Sequence, residues 1–145
     1  MRRYRSTSIA GVIVLAILLS GFSCSSSTKK LAVASDAIAH ALANAQTAAV
    51  QAQQQGIITQ ADLNEFNGYL SKTAQAGLIL NQSIRQGDSA KTVSEKTAAF
   101  LDAFNALQNA GLAGIKNPNT KLAISTILTG AQTSVAIIVA TVGGK

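Results

Sequence analysis

From Leu31 to Val142 the apolar residues of this chain recur at alternating spacings of three and four. Such spacing places them along one side of a helix, and no other regular structure uses it. The first run is Leu31, Ala34, Ile38, Ala41, Ala45, Ala48 and Ala52, accompanied by a four-residue stripe of Ala37, Ala41, Ala45 and Ala49. The second is Leu63, Phe66, Leu70, Thr73, Gly77, Leu80 and Ile84. The third is Val93, Phe100, Ala103, Phe104, Leu107 and Ala110. The fourth is Ile124, Ile127, Leu128, Ala131, Val135, Ile138 and Val142. A single proline, Pro118, interrupts the whole sequence, and alanine supplies much of the apolar content at low entropic cost to a helix.

Punctuation between the runs sets the helix limits. Gly56 follows the first run and Gly87 the second, each where a glycine commonly stands just past a helix C-terminus. Thr59-Gln60-Ala61-Asp62 reads as an approximate capping box for the second helix. Asp88 or Ser89 can cap the third, with Thr92-Val93-Ser94-Glu95 a further capping box nearby. The third ends around Gly111 or Gly114. Asn117-Pro118 gives the fourth an N-cap and a first-turn proline, and Gly143-Gly144 stops it. The expected helices are therefore about 29–55, 60–86, 89–113 and 118–142. Each is about 25 residues, or roughly 38 Å at 1.5 Å per residue. Matched lengths and short turns predict an all-α domain over 29–145, an up-down-up-down four-helix bundle.

The N-terminus is of another kind. Arg2, Arg3 and Arg5 precede an apolar run from Ile9 to Leu19, and small residues follow. This is the layout of an export signal over 1–23, with a Ser-rich tether at 24–28. The run is short for a spanning helix, which needs roughly 20 apolar residues. Cys24 is the only cysteine, sits at the signal's end after the small Ser23, and has no intramolecular disulfide partner. Through these residues the chain resembles bacterial lipoprotein precursors, although Gly21 stands where that class usually carries leucine. The resemblance covers about the first 28 residues. It implies a lipid on Cys24, which becomes the new N-terminus, and attachment to the cell envelope facing the periplasm or the outside. It names no function for the helical part. The other reading is an uncleaved signal serving as the anchor, or ordinary cleavage nearby.

Charge argues against nucleic acid. A chain beginning at Cys24 has 9 basic and 6 acidic side chains, a net charge of +3 where the full chain has +6. Its Lys and Arg are dispersed and lack interleaved aromatics, unlike a nucleic-acid face. Attraction to anionic lipid would fall mainly on Lys29 and Lys30.

Catalytic chemistry is hard to assemble. His40 is the only histidine; Asp36, four residues earlier, could share its helix face. No G-x-S-x-G signal or triad accompanies it, and it reads as an ordinary histidine. Glu65 and Glu95 are the only glutamates, and neither has a histidine three positions on, as carboxylate-bridged metal bundles require. Structural zinc lacks ligands, and the glycines form no phosphate loop. The expectation is no catalytic site, no metal and no cofactor. A scaffold or binding module follows, with a second copy or an envelope protein as partner. The competing reading is a small membrane-active protein of the pore-forming or lysis type, with membrane segments at 9–19 and 122–142. No charge falls between Leu122 and Gly144, and Lys121 and Lys145 flank this stretch. Ser125, Thr126, Thr129, Gln132, Thr133 and Ser134 would form its polar face as a bundle helix. A third reading is a helical module that holds a small apolar ligand in slack left by the alanines and Gly77.

Overall fold

The computed structural model describes residues 27–143, which are all-helical, with no strand among them. Four helices follow in order: α1 (Ser27–Gln54), α2 (Gln60–Gln86), α3 (Ala90–Ala106) and α4 (Pro118–Gly143). A π-helical turn, Leu107–Gly111, prolongs α3. The stretch expected to be an export signal, and Cys24, lie outside the described residues.

The caps act as the local sequence dictates. Thr59 Oγ1 accepts from the Asp62 amide at 3.1 Å, and Asp62 Oδ2 accepts from the Thr59 amide at 2.9 Å. This reciprocal capping box satisfies two donors that the first turn of α2 leaves free. Ser89 Oγ accepts from the Thr92 amide at 3.2 Å, and Asn117 Oδ1 accepts from the Thr120 amide at 3.0 Å. Gly56 and Gly87 take positive φ values of 70° and 73°, the left-handed turn that leaves a helix.

Four local expectations need correction. Ser27 and Thr28, read as tether, already belong to α1, because Leu31 packs against the core and carries the first turn with it. Thr92 is inside α3, so Thr92–Glu95 is no capping box; Asp88 is no cap either, and accepts from Ser83 Oγ at 2.6 Å. Ser134, expected on the solvated face of α4, is buried, its hydroxyl donating to the Gly130 carbonyl at 3.0 Å. The third helix ends at Gly111, one of the two expected stops, but its last turn is not α-helical. It widens at Leu107, where the Leu112 amide donates five residues back to the Leu107 carbonyl at 3.1 Å. That wider turn brings Leu107 and Leu112 both into the core. The fit is close there: a Cβ on Gly111 would lie 3.0 Å from Leu107 Cδ1 and 3.2 Å from Tyr69 Cβ, so its neighbours would have to give way slightly.

The periodic runs become the core. Ala34, Ile38, Ala41, Ala45, Ala49 and Ala52 of α1 are buried, as are Leu63, Phe66, Leu70, Leu80 and Ile84 of α2. Val93, Phe100, Phe104 and Leu107 join them, with Ile124, Leu128, Ala131, Val135 and Ile138 of α4. α1 makes its most extensive contact with α4 and also borders α2; α3 borders α2 and α4. Gly77 marks a level where three helices meet: a Cβ there would lie 3.4 Å from Phe100 Cε2 and 3.9 Å from Ile38 Cγ2. The Phe100 and Phe104 rings stack at 5.6 Å between centroids. Thr73, fully buried, donates to the Tyr69 carbonyl at 2.9 Å and across to the Ala103 carbonyl at 3.0 Å, joining α2 to α3.

Phe100 fills this junction, so Phe100→Ala should cost about 3–5 kcal/mol. Urea unfolding followed by circular dichroism measures it; a loss as small as an exposed substitution gives would mean Phe100 is not central.

Candidate functional site

The residues with chemical potential do not converge. His40 is exposed on α1, and Asp36 turns away from it toward α2. Arg85 Nη2 donates to Asp36 Oδ1 and Oδ2 at 2.9 and 3.0 Å, and Arg85 Nε donates to Asn81 Oδ1 at 2.7 Å. Asn81 Nδ2 donates to Ser35 Oγ at 2.9 Å and to Asp36 Oδ1 at 3.0 Å. Periodicity alone could not pair Asp36 with Arg85, because their meeting depends on the register between α1 and α2. Both side chains are about half exposed, so the ion pair adds only about 0–1 kcal/mol. Glu65 and Glu95 are exposed on different helices, and no group of three or more His, Cys, Asp or Glu that could hold a metal occurs among the described residues.

Next to this network runs a groove of about 400 Å³ between α1 and α2. Its walls are Ile38, Leu42, Leu70 and Leu78 with Ala39, Ala43, Ala74 and Gly77 between them; Ser35 and Asn81 are its polar groups at one end, Gln46 at the other. None of the lining residues is charged. Leu78 keeps 58% of its surface exposed there. The groove offers mainly apolar contact, and Gly77, which the ligand-holding reading invokes, is among its lining residues.

The second candidate is the outer side of α4. This helix is long and apolar enough to cross a membrane, and 33% of an 18-residue apolar stretch in it is buried, a share similar to that of α1 and α2. Its exposed hydroxyls are not free donors. Thr126 donates to the Leu122 carbonyl at 2.8 Å, Thr129 to Ser125 at 3.0 Å, and Thr133 to Thr129 at 3.1 Å. Thr141, half-buried, does the same to Ile137 at 2.7 Å. Each hydroxyl is satisfied within its own helix, which lowers the cost of placing that side against an apolar medium. The six polar side chains that read as a solvated face are therefore weaker evidence against lipid than their number implies.

Comparison with protein-family models, with curated proteins and with solved structures finds no match.

One carboxylate is electrostatically distinct. The Asp62 pKa is lowered, first by the Thr59 hydroxyl that donates to it at 2.7 Å, then by the Thr59 amide, with the Lys116 charge adding to both. A lowered folded-state pKa contributes stability that is present above the unfolded value near 3.9 and is lost as pH falls through the lower folded value. Acid unfolding of the parent chain should therefore steepen below about pH 4, and Asp62→Asn should flatten that limb. Thermal melts across this pH range check it; parallel curves would remove Asp62 from the account.

Proposed function

We propose that this chain is the precursor of a non-enzymatic bacterial envelope protein. It is exported, carries a lipid on Cys24, faces the periplasm or the outside, and acts as a helical scaffold or binding module. Its four helices would form an up-down-up-down bundle. The observation that carries this reading is the start of α1 at Ser27, three residues beyond Cys24, with a well-packed helical core behind it. A lipid placed there would tether the domain without any spanning segment. The bundle finds support in the pairs Ile38–Gly77, Gly77–Phe100, Thr73–Ala103 and Tyr69–Gly111, where numbering rises on one helix as it falls on the next. The uncharged groove between α1 and α2 is the surface best suited to a second copy or an envelope protein. Radiolabelled palmitate should enter the parent chain and not Cys24→Ala; an unlabelled parent chain would remove the lipid from the proposal.

A second reading finds support in one observation, the length and apolar character of α4. In it the protein is membrane-active, and segments 9–19 and 122–142 enter the bilayer. Alkaline carbonate extraction of a chain lacking residues 1–24 separates the two. Release into the supernatant fits the tethered bundle, and retention in the pellet fits membrane insertion of 122–142.

A further inference from the structure

We infer that the end of the helical domain where α1 begins and α4 ends docks on an anionic phospholipid surface. Val139 enters the lipid there, and Lys29, Lys30 and Lys91 meet its phosphates. The inference deepens the tethered reading and rests on it for bringing this end near a membrane.

Several elements converge at this end. The Asp36–Arg85 ion pair ties the first turns of α1 to the last turn of α2. Residues 87–89 then lead directly into α3. Between the start of α3 and the end of α4 lies a cleft of about 410 Å³, bordered by Lys91, Ala98, Leu101, Val139 and Val142. Val139 keeps half of its surface exposed there.

Two observations select lipid as the occupant. The first is where the chain outside the described residues ends. The apolar run Ile9–Leu19 and Cys24 both precede Ser27, so either mode of attachment brings the membrane to this end. The second is charge. With Asp36 and Arg85 satisfying each other, Lys29, Lys30, Lys91 and Lys96 remain against Asp88 and Glu95. At the opposite end Asp62 and Glu65 offset Lys116 and Lys121, leaving no comparable excess. An anionic lipid surface complements the basic end alone. Each lysine close to such a surface multiplies partitioning about fivefold, so the net excess of two gives roughly twenty-five-fold. A single acyl chain binds membranes only marginally, and a basic patch is the usual second contact. The self-bonded hydroxyl of Thr141 leaves no free donor to be stripped of water as the end of α4 enters the headgroup layer.

The chain has no tryptophan, so one can be introduced as a single reporter. Full-length Val139→Trp, and Ile57→Trp as the control at the opposite end, are reconstituted with Cys24 retained. The vesicles contain phosphatidylcholine and bromine-labelled lipid, with or without phosphatidylglycerol. Flotation reports attachment; fluorescence reports docking. The expected result is a blue shift and bromine quenching at position 139 when phosphatidylglycerol is present. Position 57 should show neither, and the position 139 signal should be lost when Lys29→Glu, Lys30→Glu and Lys91→Glu are combined with Val139→Trp. Quenching at 139 in a chain whose Cys24 carries no lipid supports the docking surface even though the lipid reading has then failed. A floating chain unquenched at 139 overturns the surface and leaves the tether standing. A blue shift without bromine quenching means that another protein surface covers Val139, which also overturns it, as does quenching indifferent to the three charge reversals.

Discussion

The close approach of α1 to its neighbours is the constraint on which the rest of the structure depends. The three most buried positions on α1 are Ala34, Ala45 and Ala49. A methyl group keeps two backbones close, so α1 and α4 share the largest contact between helices even though each α1 side chain hides little apolar area. The bulk needed to fill the core comes from elsewhere, chiefly Phe66, Phe100 and Phe104 on α2 and α3. The domain is thus asymmetric in cross-section, with a thin, tightly approached side built on alanine and a thick side built on phenylalanine.

Four of the five buried hydroxyls in this core follow one rule. Ser35, Thr73, Thr97 and Ser134 are buried, and each hydroxyl donates to a carbonyl three or four residues back on its own helix. Local satisfaction of this kind needs no precise partner on another helix, so it tolerates small shifts between helices. Thr73 also reaches across to the Ala103 carbonyl, Ser35 also accepts across from Asn81 Nδ2, and the fifth, Ser83, donates instead to Asp88 Oδ2. Among the described residues Asn67 Oδ1 is buried without a protein partner, where a buried amide oxygen ordinarily finds a donor.

Much of the fold was legible in the sequence because helix periodicity and caps are local properties. Leu63, Phe66, Leu70, Thr73, Leu80 and Ile84 follow heptad spacing and are all buried, and Thr59, Ser89 and Asn117 act as the N-caps their positions suggest. The failures were non-local. Thr97 and Ser134 are buried because of what faces them, which no spacing along one helix reveals. At the widened turn, a Cβ on Gly111 would meet Tyr69 of α2, a neighbour that no spacing along the third helix reveals. The candidate site was less legible. Gly77 hinted at slack, but the groove exists only through the register that brings Ile38 and Leu42 opposite Leu70 and Leu78. The ion pair of Asp36 with Arg85 joins residues 49 apart, and each has nearer candidates in the sequence.

The π turn at Leu107–Gly111 carries one more residue than an α-helical path between the same ends would use. It acts as a phase shifter for everything downstream. Without that extra residue, Leu112 and Ile115 would rotate off the core, and the connection that delivers Pro118 would leave in another direction. One residue of slack, taken up where a glycine faces a tyrosine, thus sets the angle at which the final helix is handed over.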